Sequence, residues 1–118
     1  MEINSLEAAI LMILDTHRGR EQSIPRADLV KEVNQACLLF PVNERTIRQT
    51  IKHLVERHGA WIGSSSRGYF LIETTEELER ACRYYHGYAM SLLHVEAKLR
   101  KVSLPDLIGQ LSLKISSG

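Results

Sequence analysis

Apolar side chains recur every three to four positions in four stretches of the chain, which is the period of an α-helix. The first stretch follows Asn4-Ser-Leu-Glu7, where the side chain of Asn4 or Ser5 can accept an orphan backbone N–H of the first turn. The second begins at Ile24-Pro25, because proline is preorganised for a first helical turn, and fades near Ala36. The intervening residues 16–23 have no period and include Gly19, which predicts a surface loop. The predicted buried stripes are Leu6, Ile10, Ile13 and Leu14, then Leu29, Val30 and Val33.

A third helix is predicted from Glu44 to Arg57, with Asn43 as its N-cap and Gly59 as its C-terminal stop. Its apolar positions are Ile47, Ile51, Leu54 and Val55, which fix one face inward. The opposite face collects Arg45, Gln49, Lys52, His53 and Glu56, flanked by Arg48. Several of these side chains are donors that can reach phosphates and base edges.

The pattern then changes to two short β-rich runs, residues 60–63 and 69–72. They are joined by Ser64 to Gly68, a sequence typical of a hairpin turn. Arg67 therefore lies at the tip of the predicted hairpin.

A fourth helix is predicted from about Thr75 to Lys101, which makes it roughly 40 Å long at 1.5 Å per residue. Apolar residues keep a seven-residue spacing along it. A globule of this chain length has a radius of gyration of about 13 Å, so the stripe needs another surface, and a second copy of the chain would supply one. The predicted dimer interface is Leu78, Tyr85, Tyr88, Leu92, Val95 and Leu99.

Gly87 leaves a second interpretation of this helix open. It costs about 1 kcal/mol relative to alanine in a helix interior, and it could admit a neighbouring helix or mark a break that folds the helix back. Residues such as Ala89 and Ser91 lack the charge pairs of a dedicated coiled coil. A short amphipathic helix at 104–108 and a Ser-Ser-Gly tail expected to fray complete the chain.

Composition adds little to this picture. The 118 residues are 44% hydrophobic and 25% charged, as in an ordinary globular domain, and the net charge of +1 requires any polyanion site to be a local patch. Cys37 and Cys82 lie in apolar helix-like contexts without CxxC spacing, which predicts buried thiols in a reducing compartment. The chain starts without a leader-like segment and has no apolar run near 18 residues, so we expect a cytoplasmic protein.

The sequence contains no recognisable catalytic or metal-binding motif. The five histidines, His17, His53, His58, His86 and His94, form no HxxxH pair and are expected to face solvent, so no metal site is predicted. No GxSxG, Walker or dinucleotide-binding sequence is present. We therefore predict a non-enzyme without a cofactor.

The order of three helices and a hairpin resembles the winged helix-turn-helix family. The resemblance rests on the segments 24–30, 42–54 and 67–71, which have the sequences IPRADLV, VNERTIRQTIKHL and RGYFL, and covers about residues 1–73. It is closest to small winged-helix proteins of bacteriophages and prophages. It implies a mainly α fold with a small β-hairpin, with residues 74–118 as a helical extension for dimerisation or docking.

By this resemblance the third helix and the wing bind double-stranded DNA, for a transcriptional regulator or a phage-type replication accessory. The implied DNA-binding residues are Asn43, Arg45, Thr46, Arg48, Gln49, Lys52 and Arg67. A dimer would present two such helices about 34 Å apart and favour a palindromic site. The alternative is a winged-helix module that binds another protein, since Glu44 and Glu56 oppose phosphate binding and a fold does not fix a function.

Overall fold

The structure, a computed structural model, describes residues 3–36 and 40–117, with side-chain surroundings up to residue 112. This part of the chain is mainly helical and carries one two-stranded antiparallel hairpin. The elements are α1 (Ser5–Leu14), a short 3-10 helix (Arg20–Gln22), α2 (Arg26–Gln35), α3 (Glu44–His58), β1 (Ile62–Ser65), β2 (Gly68–Leu71), α4 (Thr75–Arg100) and α5 (Leu104–Ser117). The chain forms two compact units, Met1–Glu79 and Arg80–Gly118, so the division falls inside α4, six residues after the predicted boundary at 73/74.

The core of the first unit forms where α1, α2 and α3 contact one another. Each helix contributes the stripe that its apolar period predicts, and the residues at the edges of the stripes, such as Leu6 and Val55, are half-buried. The buried members from the helices are Ile10, Leu14, Leu29, Val33, Ile47, Ile51 and Leu54. Burial of each such side chain contributes about 1.5–3 kcal/mol, so this core fixes which face of α3 is left outside.

Capping side chains set where the helices begin and end. Asn4 and Glu7 form the predicted capping box, in which Asn4 Oδ1 accepts from the Glu7 N–H at 2.8 Å and Glu7 Oε1 accepts from the Asn4 N–H at 3.0 Å. Asn43 Oδ1 accepts from the Thr46 N–H at 2.9 Å, and α3 ends where Gly59 takes the left-handed conformation at φ 63°. The predicted starts of α1 and α3 and the glycine stop are confirmed.

The hairpin pairs Ile62 with Leu71 at its open end and Ser65 with Gly68 beside its turn. The segment before α2 also pairs with β2, since Gly19 N–H donates to Leu71 O at 2.8 Å and Ile24 N–H donates to Tyr69 O at 2.8 Å. The predicted loop over 16–23 does lie at the surface, with most of its residues exposed, but part of it pairs with β2. This segment contains a 3-10 turn and flanks β2 on the side away from β1, so that β2 lies in the middle.

Glu77 ties the start of α4 to the connection between α1 and α2. Its Oε1 accepts from the Glu73 N–H at 2.9 Å, and its Oε2 accepts from the Arg20 N–H at 2.8 Å. The hydrogen bond from the Arg20 backbone, with further help from those of Glu73 and Thr74 and from the Arg20 charge, lowers the pKa of the Glu77 carboxyl. The folded protein therefore stabilises the charged carboxylate form of Glu77.

The fourth helix runs without interruption through Gly87, so the break that this residue could have marked does not occur. The helix ends at Lys101, which has φ 57°, and the Val102 N–H donates to Ala97 O at 3.0 Å in a Schellman-type closure. The predicted short helix at 104–108 is the start of α5, which continues to Ser117.

Cys82 is exposed, so the prediction of a buried thiol is wrong there, and Cys37 lies outside the described residues. Within the described ranges, no helix combines the length and the apolar composition needed to cross a membrane.

Candidate nucleic-acid interface

The outward face of α3 carries most of the polar residues that the sequence predicts for DNA binding. Arg45, Arg48, Gln49 and Lys52 are all exposed, and they follow one another at i, i+3, i+4 and i+7. Since Ile47, Ile51 and Leu54 bury the other face, these four side chains must share one side of the helix. The structure thus places these four of the seven predicted DNA-binding residues on one face of α3.

Within the described ranges, the cations on this face have no carboxylate partner. Among the described residues, the close contacts between basic and acidic side chains involve Arg18, Arg100, His53 and His58, and none involves Arg45, Arg48 or Lys52. Like charges three and four residues apart on a helix repel one another by about 0.2–0.5 kcal/mol per pair. An anion above this face would relieve that repulsion.

Two members of the predicted set serve the helix itself. Asn43 uses its side-chain oxygen to cap α3, which leaves its amide nitrogen as the remaining donor. Thr46 is half-buried, and its carbonyl accepts from the Thr50 hydroxyl at 2.7 Å. The Asn43 cap thus fixes the start of α3, where backbone N–H groups favour a negative charge.

The last member, Arg67, lies in the two-residue turn of the hairpin and is exposed. Two hydrogen bonds of the Ser65 hydroxyl stabilise the turn. Ser65 Oγ accepts from the Arg67 N–H at 3.1 Å and lies within hydrogen-bond distance, 3.0 Å, of Ser23 Oγ. An open cleft of about 300 Å³ beside the turn is lined by Arg20, Glu21, Ser65, Ser66 and Arg67. No hydrogen bond or ion pair within the described residues joins Arg67 to α3.

Arg26 anchors the hairpin to α2, a role that the sequence does not predict. Its Nη2 donates to Ser64 Oγ at 3.1 Å and to Ser65 O at 3.4 Å. Its guanidinium carbon also lies 5.0 Å from the centroid of the Tyr69 ring, a cation–π distance. The partners are about forty residues away in the sequence, so no local pattern could indicate this contact.

The predicted dimer face on α4 is a row of exposed apolar and aromatic side chains. Tyr88, Leu92, Val95 and Leu99 are 61%, 54%, 56% and 79% exposed, and Tyr85 is 46% exposed. Leu78, the first member of the set, is half-buried. Tyr84 meets Tyr85 edge to face, with the ring centroids 5.3 Å apart.

The histidines do not all face solvent as predicted. His53, His86 and His94 are exposed, whereas His17 and His58 are half-buried. His17 Nδ1 lies 2.8 Å from Gln22 O, and His58 lies beside the buried carboxylate of Glu7. The prediction is therefore wrong for these two residues.

No protein-family model matches the chain, and no curated protein or solved structure matches it either.

Proposed function

We propose that this protein binds double-stranded DNA through the outward face of α3, with the hairpin as an accessory contact. The observation that carries the proposal is the row of Arg45, Arg48, Gln49 and Lys52, exposed opposite a buried stripe and not paired with carboxylates in the described structure. The major groove of B-DNA is about 12 Å wide and admits one α-helix, and Arg and Gln are side chains that read guanine and adenine edges.

The order of the elements supports a winged helix-turn-helix arrangement for the first unit. Three helices share a core, a segment between α1 and α2 pairs with β2, and the hairpin directly follows α3. In such an arrangement α3 is the recognition helix and the hairpin is the wing, so Arg67 contacts the phosphate backbone or the minor groove. The role that fits best is a cytoplasmic transcriptional regulator or a phage-type replication accessory.

The exposed stripe on α4 supports a homodimer. Soluble monomers rarely leave a long row of large apolar side chains in water. The same helix in a second copy is self-complementary, as a twofold interface requires. A dimer would double a basic face that is small in one copy.

The DNA test compares two double variants of equal charge. Arg48→Ala with Lys52→Ala removes the centre of the α3 face, and Arg80→Ala with Arg83→Ala removes two exposed cations of α4 that lie away from its apolar stripe. Fluorescence anisotropy of a labelled mixed-sequence duplex is measured from low to near-physiological salt. We expect the α3 variant to bind more weakly, with a salt slope smaller by about 0.9 for each phosphate that is no longer neutralised, and the α4 variant to bind as the parent does.

If circular dichroism shows that the α3 variant is folded and the variant keeps the parent's affinity and salt slope, then α3 is not part of the DNA interface. If the parent itself fails to bind the duplex at low salt, the competing function is favoured, in which the chain is a protein-interaction module. Docking through apolar and tyrosine surfaces responds little to salt, which separates the two functions in one titration series.

The dimer is tested separately by sedimentation equilibrium. Leu92→Glu places a charge in the middle of the exposed stripe, so we expect it to shift the protein to monomers, while Arg83→Glu on the opposite side of α4 leaves the dimer intact. A parent protein that stays monomeric at tens of micromolar would exclude this interface at any concentration relevant to DNA binding.

A further inference from the structure

Within the described part of the chain, Glu7 presents a buried carboxylate oxygen without a hydrogen-bond partner. Glu7 belongs to α1, and its side chain is buried. Its Oε1 accepts a hydrogen bond from the Asn4 N–H, whereas its Oε2 has no hydrogen-bond partner in the described structure. Leaving a buried polar atom without a partner is costly, and the cost is larger for a charged group. An oxygen in this position needs a positively charged partner.

Two imidazole rings of α3 surround that oxygen. Glu7 Oε2 lies 3.5 Å from His58 Nε2 and 3.9 Å from His53 Nε2, which is too long for hydrogen bonds of ordinary geometry. The two rings meet edge to face, with their centroids 5.4 Å apart. One ligand atom from each of the three residues lies within 4.8 Å of the other two.

These separations fit an ion placed between the three atoms. Zinc binds imidazole nitrogen and carboxylate oxygen at about 2.0–2.2 Å, so tetrahedral geometry sets its ligand atoms about 3.3 Å apart. The distances from Glu7 to the histidines exceed this value only slightly, so small side-chain rotations would close the triad. Two imidazoles with one carboxylate suit a transition metal better than Mg²⁺ or Ca²⁺, which prefer sets of oxygen ligands.

We propose that Glu7, His53 and His58 form a binding site for one divalent transition metal ion of the zinc type. Asn4 holds the first carboxylate oxygen of Glu7 and so orients the second toward the ion, a supporting contact of the kind that metal ligands usually have. His53 is half exposed, so the ion is reached from solvent and keeps a coordination position for water or a further ligand. The ion would fasten α1 to the last turns of α3.

Local sequence patterns do not indicate this site, because the two histidines are five residues apart and the third ligand comes from another helix. A metal-binding pair on one helix is normally spaced at i, i+4. Here His58 is the last residue of α3, and the sequence around Glu7 predicts a helix-capping residue alone. The site does not depend on DNA binding, and it can exist whether or not that function is correct.

The test uses Zn²⁺ alone, titrated into chelator-treated protein against a chromophoric zinc indicator. Glu7→Gln is the most informative variant, since glutamine can keep the capping bond to Asn4 but lacks the charge, and His53→Gln removes a ligand from an exposed position. His86→Gln is the control, because His86 is an exposed histidine of α4. We expect one Zn²⁺ per chain, at least a tenfold weaker affinity in either site variant, and no change in the control.

A second measurement makes the result independent of the indicator. Saturating Zn²⁺ should raise the melting temperatures of the parent and of His86→Gln equally, and those of Glu7→Gln and His53→Gln by less, because the stabilisation by a ligand that binds only the folded state falls as its affinity falls. Zinc binding of equal strength in all four proteins, or no binding at a 1:1 ratio in the parent, would overturn the site.

Discussion

Replacing Gly68 with alanine tests how the hairpin is fastened to the rest of the first unit. Gly68 has φ 137°, a conformation that L side chains rarely adopt. A Cβ at this position would lie 1.8 Å from the carbonyl oxygen of Ile24 and 2.9 Å from the Cα of Pro25. These are backbone atoms that cannot turn aside like the end of a side chain, so β2 must move away from the segment before α2.

That movement breaks two backbone hydrogen bonds, from Ile24 N–H to Tyr69 O at 2.8 Å and from Tyr69 N–H to Ile24 O at 3.0 Å. Each contributes about 0.5–1.5 kcal/mol, and the strained backbone adds about 1–3 kcal/mol. The expected decrease in stability is therefore about 2–6 kcal/mol, against a total stability of about 5–15 kcal/mol for a typical domain. Gly68→Ala is expected to remove a large part of the stability of this unit.

The assay is urea denaturation followed by the fluorescence of Trp61, the single tryptophan, whose carbonyl accepts from the Ile72 N–H beside the hairpin. Ser66→Ala is the matched control, because Ser66 is exposed in the same turn and its replacement should change stability by less than about 0.5 kcal/mol. A Gly68→Ala protein as stable as this control would show that the pairing of Ile24 with Tyr69 does not hold the hairpin.

Two further predictions concern side chains that join distant segments. Glu77 has a lowered pKa in the folded protein, so it adds stability above the ordinary glutamate pKa of about 4.3, and this contribution disappears as the pH falls through the lower folded value. Urea midpoints from pH 7 to pH 2 should therefore show Glu77→Gln less stable than the parent at neutral pH and equal to it at the acidic end, and a constant difference across the series would refute the assignment. Arg26→Ala should destabilise the unit by about 1–2 kcal/mol, because it removes the hydrogen bonds to the hairpin and the cation–π interaction with Tyr69. Equal urea midpoints for Arg26→Ala and the parent would show that the hairpin keeps its place without this anchor.

The sequence is sufficient to predict the elements whose signals are local. The apolar period locates α1, α2, α3 and α4, the capping residues locate the start of α1 and both ends of α3, and the change to short β-rich runs locates the hairpin. Each of these patterns is formed by residues that are close together in the sequence, within the same helical turn or the same strand. The exposed face of α3 follows from the same period, because fixing Ile47 and Leu54 inward fixes Arg48 and Lys52 outward.

The features that the sequence does not predict depend on contacts between distant residues. The pairing of Ile24 with Tyr69 joins segments that have no common period, so the residues before α2 have the local pattern of a loop. Glu7 meets His58 only after α1 packs on α3, and the exposure of Cys82 depends on which side of α4 is left uncovered. Long-range contacts of this kind are set by packing, which the local patterns of a single sequence do not contain.

The pairing of the segment before α2 with β2 has a consequence for how the first unit opens. It joins the chain near the start of the unit to the chain near its end, so the hairpin cannot come loose without also freeing the connection between α1 and α2. Elements linked in this way open together, and their amide hydrogens exchange with solvent as one group. The amides of Gly19, Ile24, Tyr69 and Leu71 should therefore share one opening free energy under native conditions, and any fragment that stops before Leu71 would lack the strand that closes the unit.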